Sequence, residues 1–167
     1  MSTSAGLAET AASEHQERLR CIEDFGQLFE RYGVSLTVGR VFGLLLMSDV
    51  ALSLDDMALQ LTASKSGVSV AARDLERLGV VRRNRLHGSR RITYEASDNF
   101  EPIFEAQFDR IRQQLAILRR ADSALARGRA KARLRSMKAL HEFWLGESEG
   151  LMARWRAKRA ARIGQRQ

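Results

Sequence analysis

The chain has 167 residues, the length of one domain with at most an appended arm, and its 44% hydrophobic and 29% charged residues exclude both a disordered tail and a membrane-spanning protein. A single cysteine, Cys21, excludes an internal disulfide framework and a cysteine-based zinc site. The net charge of +8 is unevenly spread: two basic side chains face six acidic ones in residues 1–30, eight face three in 64–97, and eleven face three in 128–167. Two basic blocks beside an acidic arm are the electrostatic footprint of a polyanion binder.

In chain order, MSTSAGLAET lacks both a basic start and an apolar h-region. No secretory signal is visible, and the expected location is cytoplasmic. From about Ser13 to Arg31, Leu19, Ile22, Phe25, Leu28 and Phe29 form a helical stripe among acids, ended at Tyr32-Gly33. A second helix, about Thr37 to Ser48, is apolar on most sides and belongs at the centre of the fold. Its longest apolar run, Val41 to Met47 around Gly43, is far short of the ~20 residues needed to span a bilayer. Ser53 with Asp56 three residues on starts a short helix over 53–62. After TASKSG, Val68, Ala71, Leu75 and Leu78 place one apolar stripe on a helix over 64–78, closed by Gly79. VVRRNRL and RRITYEA around His87-Gly88-Ser89 predict a β-hairpin.

The only proline, Pro102, opens a region that is helical almost to its end. Phe104, Phe108, Ile111, Leu115, Leu118 and Leu125 repeat at 4-3-4-3 spacing, with Asp122 in the one polar position. A strict seven-residue seam suits contact with another helix, and a dimerisation surface is the expectation. Asp122 needs a cation beside it or a place at the open end. Gly128 breaks this helix before a further one carrying Leu134, Met137, His141 and Trp144 and a basic C-terminal arm. The expected fold is therefore mainly α: a winged helix-turn-helix with a small β-hairpin wing and long C-terminal dimerisation helices. Its expected division is 1–35 N-terminal helix, 36–98 winged helix and 99–167 helical dimerisation region with a basic tail.

The order helix, tight turn, helix, basic hairpin carries the functional reading. If helix 64–78 buries its apolar stripe, Lys65, Ser66, Ser69, Val70 and Arg73 turn outward at its N-terminal half. Short polar, methyl-bearing and long basic side chains there suit base edges in a major groove. Arg73 is placed to read guanine and Val70 to touch a thymine methyl. Arg83, Arg85, His87, Arg90 and Arg91 suit a wing lying along the phosphate backbone or in the minor groove.

SKSGVSVAARDLERLGVVRR followed by HGSRRITYEA resembles the recognition helix and wing of the MarR superfamily. The upstream YGVSLTVGRVFGLLLMSDVALSLDDMALQL resembles its GbsR-like branch, with Gly39-Arg40 opening the helix before the DNA-binding unit. The resemblance spans about residues 25–97, and its implication is a homodimeric transcriptional regulator of double-stranded DNA, usually a repressor, often relieved by a small effector, with Ser64, Lys65, Ser66, Ser69, Val70 and Arg73 facing the DNA. The basic C-terminal end is not part of that pattern.

Other readings compete. An effector pocket is the alternative use of Phe25, Phe29 and Tyr32, against plain core packing. Cys21 lies among acids, which raise a thiol pKa, so packing is its expected role. His15, His87 and His141 stand singly, so no metal is expected, and no cofactor or catalytic motif is evident. Stable membrane association is not expected either. The alternative functional class is a winged-helix module that docks a protein or RNA, with the basic C-terminal arm as an adhesive tail. The absence of an exposed aromatic anchor on helix 64–78 favours DNA.

Overall fold

The acidic N-terminal stripe forms helix α1 (Thr3–Arg31), which begins ten residues earlier than its apolar spacing indicates. The computed structural model describes the backbone of residues 3–85 and 91–164 and the side chains of 12–85 and 91–162. It divides into two units, Met1–Ile103 and Phe104–Gln167.

In the first unit α1 stops where Gly33 adopts φ +76 and the Gly33 and Val34 amides donate to the carbonyls of Glu30 and Phe29. Helix α2 (Leu36–Leu46) then turns back against it, with Val38, Val41, Phe42, Leu44 and Leu45 buried. Contact between the two helices is close enough to need glycine. A Cβ at Gly39 would stand 2.4 Å from the Phe25 carbonyl oxygen and 2.8 Å from the Gly26 Cα. Phe25 and Phe29 close the seam on Phe42, with ring centroids 5.6 and 5.7 Å away. The expectation that α2 is the buried centre holds.

A two-residue strand, β1 (Leu52–Ser53), leads into α3 (Leu54–Gln60), α4 (Lys65–Arg77), β2 (Val81–Arg85) and β3 (Ile92–Ala96). The sheet is antiparallel in the order β1-β3-β2, with Leu52 opposite Tyr94 and Arg83 opposite Tyr94 on the other side. Met57 and Leu61 of the α3 segment, Val68 and Leu75 of α4, Val80 and Tyr94 complete the core around α2. Gly79, at φ +72, makes the turn from α4 into the hairpin.

In the second unit α5 (Glu101–Ala124) and α6 (Arg129–Gly164) run antiparallel. Gly128, at φ +105, makes the break between them. Three interhelical ion pairs recur seven residues apart on both helices: Glu105–Arg156, Arg112–Glu149 and Arg119–Glu142. That repeat is coiled-coil geometry. Phe108, Leu115 and Leu118 are buried, and Ser148 and Met152 of α6 with them. The heptad seam thus meets α6 of the same chain, not a helix left for a second one. Phe104 and Leu125, at its two ends, stay exposed, and Ile111 is half-buried. Asp122 is met by Lys138 at 3.1 Å, Arg135 at 3.5 Å and Lys131 at 3.8 Å. The hydrogen bond from Lys138 holds its carboxyl below the usual carboxylate range against the opposing effect of burial.

Candidate nucleic-acid interface

Two caps fix the helix-turn-helix. The Ser53 hydroxyl accepts from the Asp56 amide, while the Ser53 amide and hydroxyl donate to the Asp56 carboxylate at 3.0 and 2.7 Å. This capping box satisfies free donors at the start of α3. At α4 the Ser64 hydroxyl accepts from the Gly67 amide at 3.1 Å, and Ser66 donates to that same hydroxyl. Between the helices Thr62 takes φ 49, a left-handed conformation that a β-branched residue adopts at a cost of roughly 1–3 kcal/mol. The turn is tight enough to impose it.

On α4 the buried face is Val68, Ala71, Ala72 and Leu75. Lys65, Ser66, Val70 and Arg73 are exposed and Ser69 is half-buried. Val70 keeps 51% of its surface exposed beside Arg73. Arg73 folds back so that its Nε donates to the Ser69 carbonyl at 3.2 Å. Its guanidinium lies along the helix and would have to leave it to reach a base. Lys65 pairs with Asp55 in the first turn of α3 at 2.7 Å. Both are largely exposed, so a phosphate would displace Asp55 at little cost. Of the expected outward residues, Ser64 is committed to its cap.

The wing divides. Arg83 and Arg85 are exposed and paired with no carboxylate among the described residues. Arg91 is instead bound to Asp56 at 2.9 Å, which fastens the start of β3 to the capping box. His87 and Arg90 lie outside the described residues. Asp56 therefore serves both elements. Hydrogen bonds from the Ser53 hydroxyl and amide, then the Arg91 guanidinium, hold its carboxyl below the ordinary aspartate range.

Behind the turn sits Arg40. Its Nη2 donates to the Leu61 carbonyl at 2.8 Å and pairs with Glu23 of α1 at 2.8 Å. The guanidinium therefore joins α1 to the Leu61 carbonyl at the end of α3, one turn before α4. The stem lies where a Cβ on Gly26 would stand, 2.7 Å from its Cγ. Gly39-Arg40 is visible in the sequence only through resemblance; the ion pair to Glu23, seventeen residues earlier in the chain, has no local spacing that reveals it.

The three aromatic residues expected at an effector site are not brought together. Phe25 and Phe29 pack on Phe42, and Tyr32 is 81% exposed. Cys21 is a half-buried free thiol.

Helix, tight turn, second helix and three-stranded sheet define a winged helix-turn-helix. A crystal structure described as that of a transcriptional regulator superposes with a TM-score of 0.72, at 25% identity, over 84% of this chain and 99% of the other. In sequence, the HTH-type transcriptional repressor GbsR of Bacillus subtilis is 32% identical over 96 residues, 58% of this chain and 52% of its own. The chain thus spans about half the length of the curated relative it matches. No family model matches. The match to GbsR supports the GbsR-like resemblance read from the segment around Gly39-Arg40, and the superposition supports the fold of a transcriptional regulator.

Proposed function

We propose that the chain is a homodimeric, sequence-specific DNA-binding transcriptional regulator, and a repressor by likeness to GbsR. The observation that carries the reading is the exposed face of α4. Ser66, Ser69, Val70 and Arg73 line its N-terminal half, and the opposite face is fully occupied by the core. A helix so anchored presents base-reading side chains on a rigid support, and the exposed Arg83 and Arg85 add phosphate contacts beside it. No aromatic anchor of the kind a protein-docking surface needs stands on that face.

Homodimerisation is supported by α6, where Met137, Leu140, Phe143, Leu151 and Trp155 remain exposed beside the covered seam. Effector control, which the resemblance implies, would bias the spacing of the two recognition helices by binding one spacing more tightly. Phe25 and Phe29, half-buried against Phe42, offer such a ligand only their outer edges.

Mobility shift on the DNA upstream of the chain's own gene tests the assignment, with Arg73→Ala as the probe. Loss of a base reader should weaken the preferred site by roughly 1–3 kcal/mol and relax sequence choice there. Unchanged affinity and preference would remove α4 as the reader.

A further inference from the structure

The largest basic excess over any twenty residues lies outside the winged helix. Between residues 119 and 138, covering the end of α5, the turn and the start of α6, eight basic side chains stand against one acid, Asp122. Half of them are accounted for. Arg119 pairs with Glu142, and Lys131, Arg135 and Lys138 converge on Asp122. Arg120, Arg127, Arg129 and Arg133 are exposed and pair with no carboxylate among the described residues.

The hairpin gains nothing from these four. Arg129 and Arg133 stand four apart on one helix face, as Lys131 and Arg135 do, and like charges so placed repel. The first turn of α6 carries no acid, though an acid there would be favoured and a cation is not. The tip is nevertheless held tight: the Lys131 ammonium donates to the carbonyls of Asp122 at 3.1 Å and Leu125 at 2.6 Å, tying the last turn of α5 to α6. Repulsive charge kept close together without internal compensation marks a surface shaped for something else.

We infer that the hairpin tip is a second phosphate-binding surface, in which Arg120, Arg127, Arg129 and Arg133 grip the backbone of duplex DNA without help from α4. Six of the eight cations are arginine, whose planar fork matches phosphate oxygens in pairs. Between residues 119 and 135 Leu125 is the one exposed large apolar side chain among those described, at 36%. A helix that lies on a membrane surface needs a broad apolar face to insert, so nucleic acid fits this surface and lipid does not. Duplex DNA as the polyanion rests on the DNA-binding function proposed for α4.

The test replaces all four arginines by glutamine in the full chain. Binding to a random-sequence duplex of about four helical turns is followed by fluorescence anisotropy from about 50 to 200 mM salt. The slope of log affinity against log salt should flatten by about 0.9 for each phosphate no longer gripped, and the fourfold Arg→Lys variant should keep most of the slope. Removing repulsion should leave the melting temperature equal or higher. An unchanged slope overturns the inference. So does a lower melting temperature, which would make these arginines part of the hairpin's own stability, and so does weakened binding seen on phosphatidylserine vesicles but not on the duplex. If Arg73→Ala proves silent while the tip variant still flattens the slope, α4 fails as the reader and the tip stands.

Discussion

A single carboxylate, that of Asp56, ties three segments together. It closes the cap on Ser53, starts α3 and holds Arg91 at the foot of the wing. Its folded pKa is depressed, so the stability it contributes is present above the unfolded aspartate value and lost as pH falls through the folded one. Thermal melts at decreasing pH should therefore show destabilisation setting in below about pH 4, and Asp56→Asn should reduce the acid-dependent part. If the Asn variant and the parent lose stability in parallel, the carboxylate is not the group responsible. Ser53 and Asp56 were legible as a cap because the capping box is a local spacing rule. Arg91 was not legible as their partner. It lies 35 residues from Asp56, and the strand pairing that brings it close is set by tertiary packing, so sequence alone left it among the phosphate-binding side chains.

At the scale of elements, two helical glycines have opposite physical roles. Gly39 sits where α1 and α2 touch, and a methyl there meets the Phe25 carbonyl oxygen at 2.4 Å. Backbone cannot yield as a side-chain tip does, so Gly39→Ala should force the helices apart and cost roughly 1–3 kcal/mol in denaturant unfolding. Gly146, within α6, has nothing within 4 Å of where a methyl would stand, and Gly146→Ala should instead stabilise by up to about 1 kcal/mol. Equal effects of the two substitutions would contradict the close approach at Gly39. α4 was legible nearly to the residue, because its stripe and both ends carry local signals. Strand β1 was not: two residues hold no period, and only pairing with β3 makes them a strand. The seven-residue seam of α5 was equally plain, but a repeat states that a helix packs on another without stating whose. Here α6 supplies the partner, matched by three ion pairs at the same repeat.

For the molecule as a whole, that assignment moves the expected contact between two chains. Leu115 is 4% exposed, so Leu115→Glu would place a charge inside the hairpin and unfold it. Leu140 is 63% exposed and Leu151 58%, on a stripe of α6 with Met137 and Trp155 that no described side chain covers to the same degree. In a two-fold dimer one patch must complement itself, which a single apolar helix stripe does when it crosses its own copy. Leu140→Glu should then give a folded monomer at micromolar concentration by sedimentation, with an unchanged helical circular dichroism spectrum. Its effect on DNA follows from linkage of the two recognition helices. The proposed dimer, reading half-sites about 34–36 Å apart, would gain from engaging both at once. The monomer should bind a single half-site as the parent does and lose about 10²–10⁴-fold on the inverted repeat. A Leu140→Glu protein that still sediments as a dimer would place the interface elsewhere. One that is monomeric yet keeps full affinity for the inverted repeat would show that pairing of recognition helices is not how this chain reads DNA.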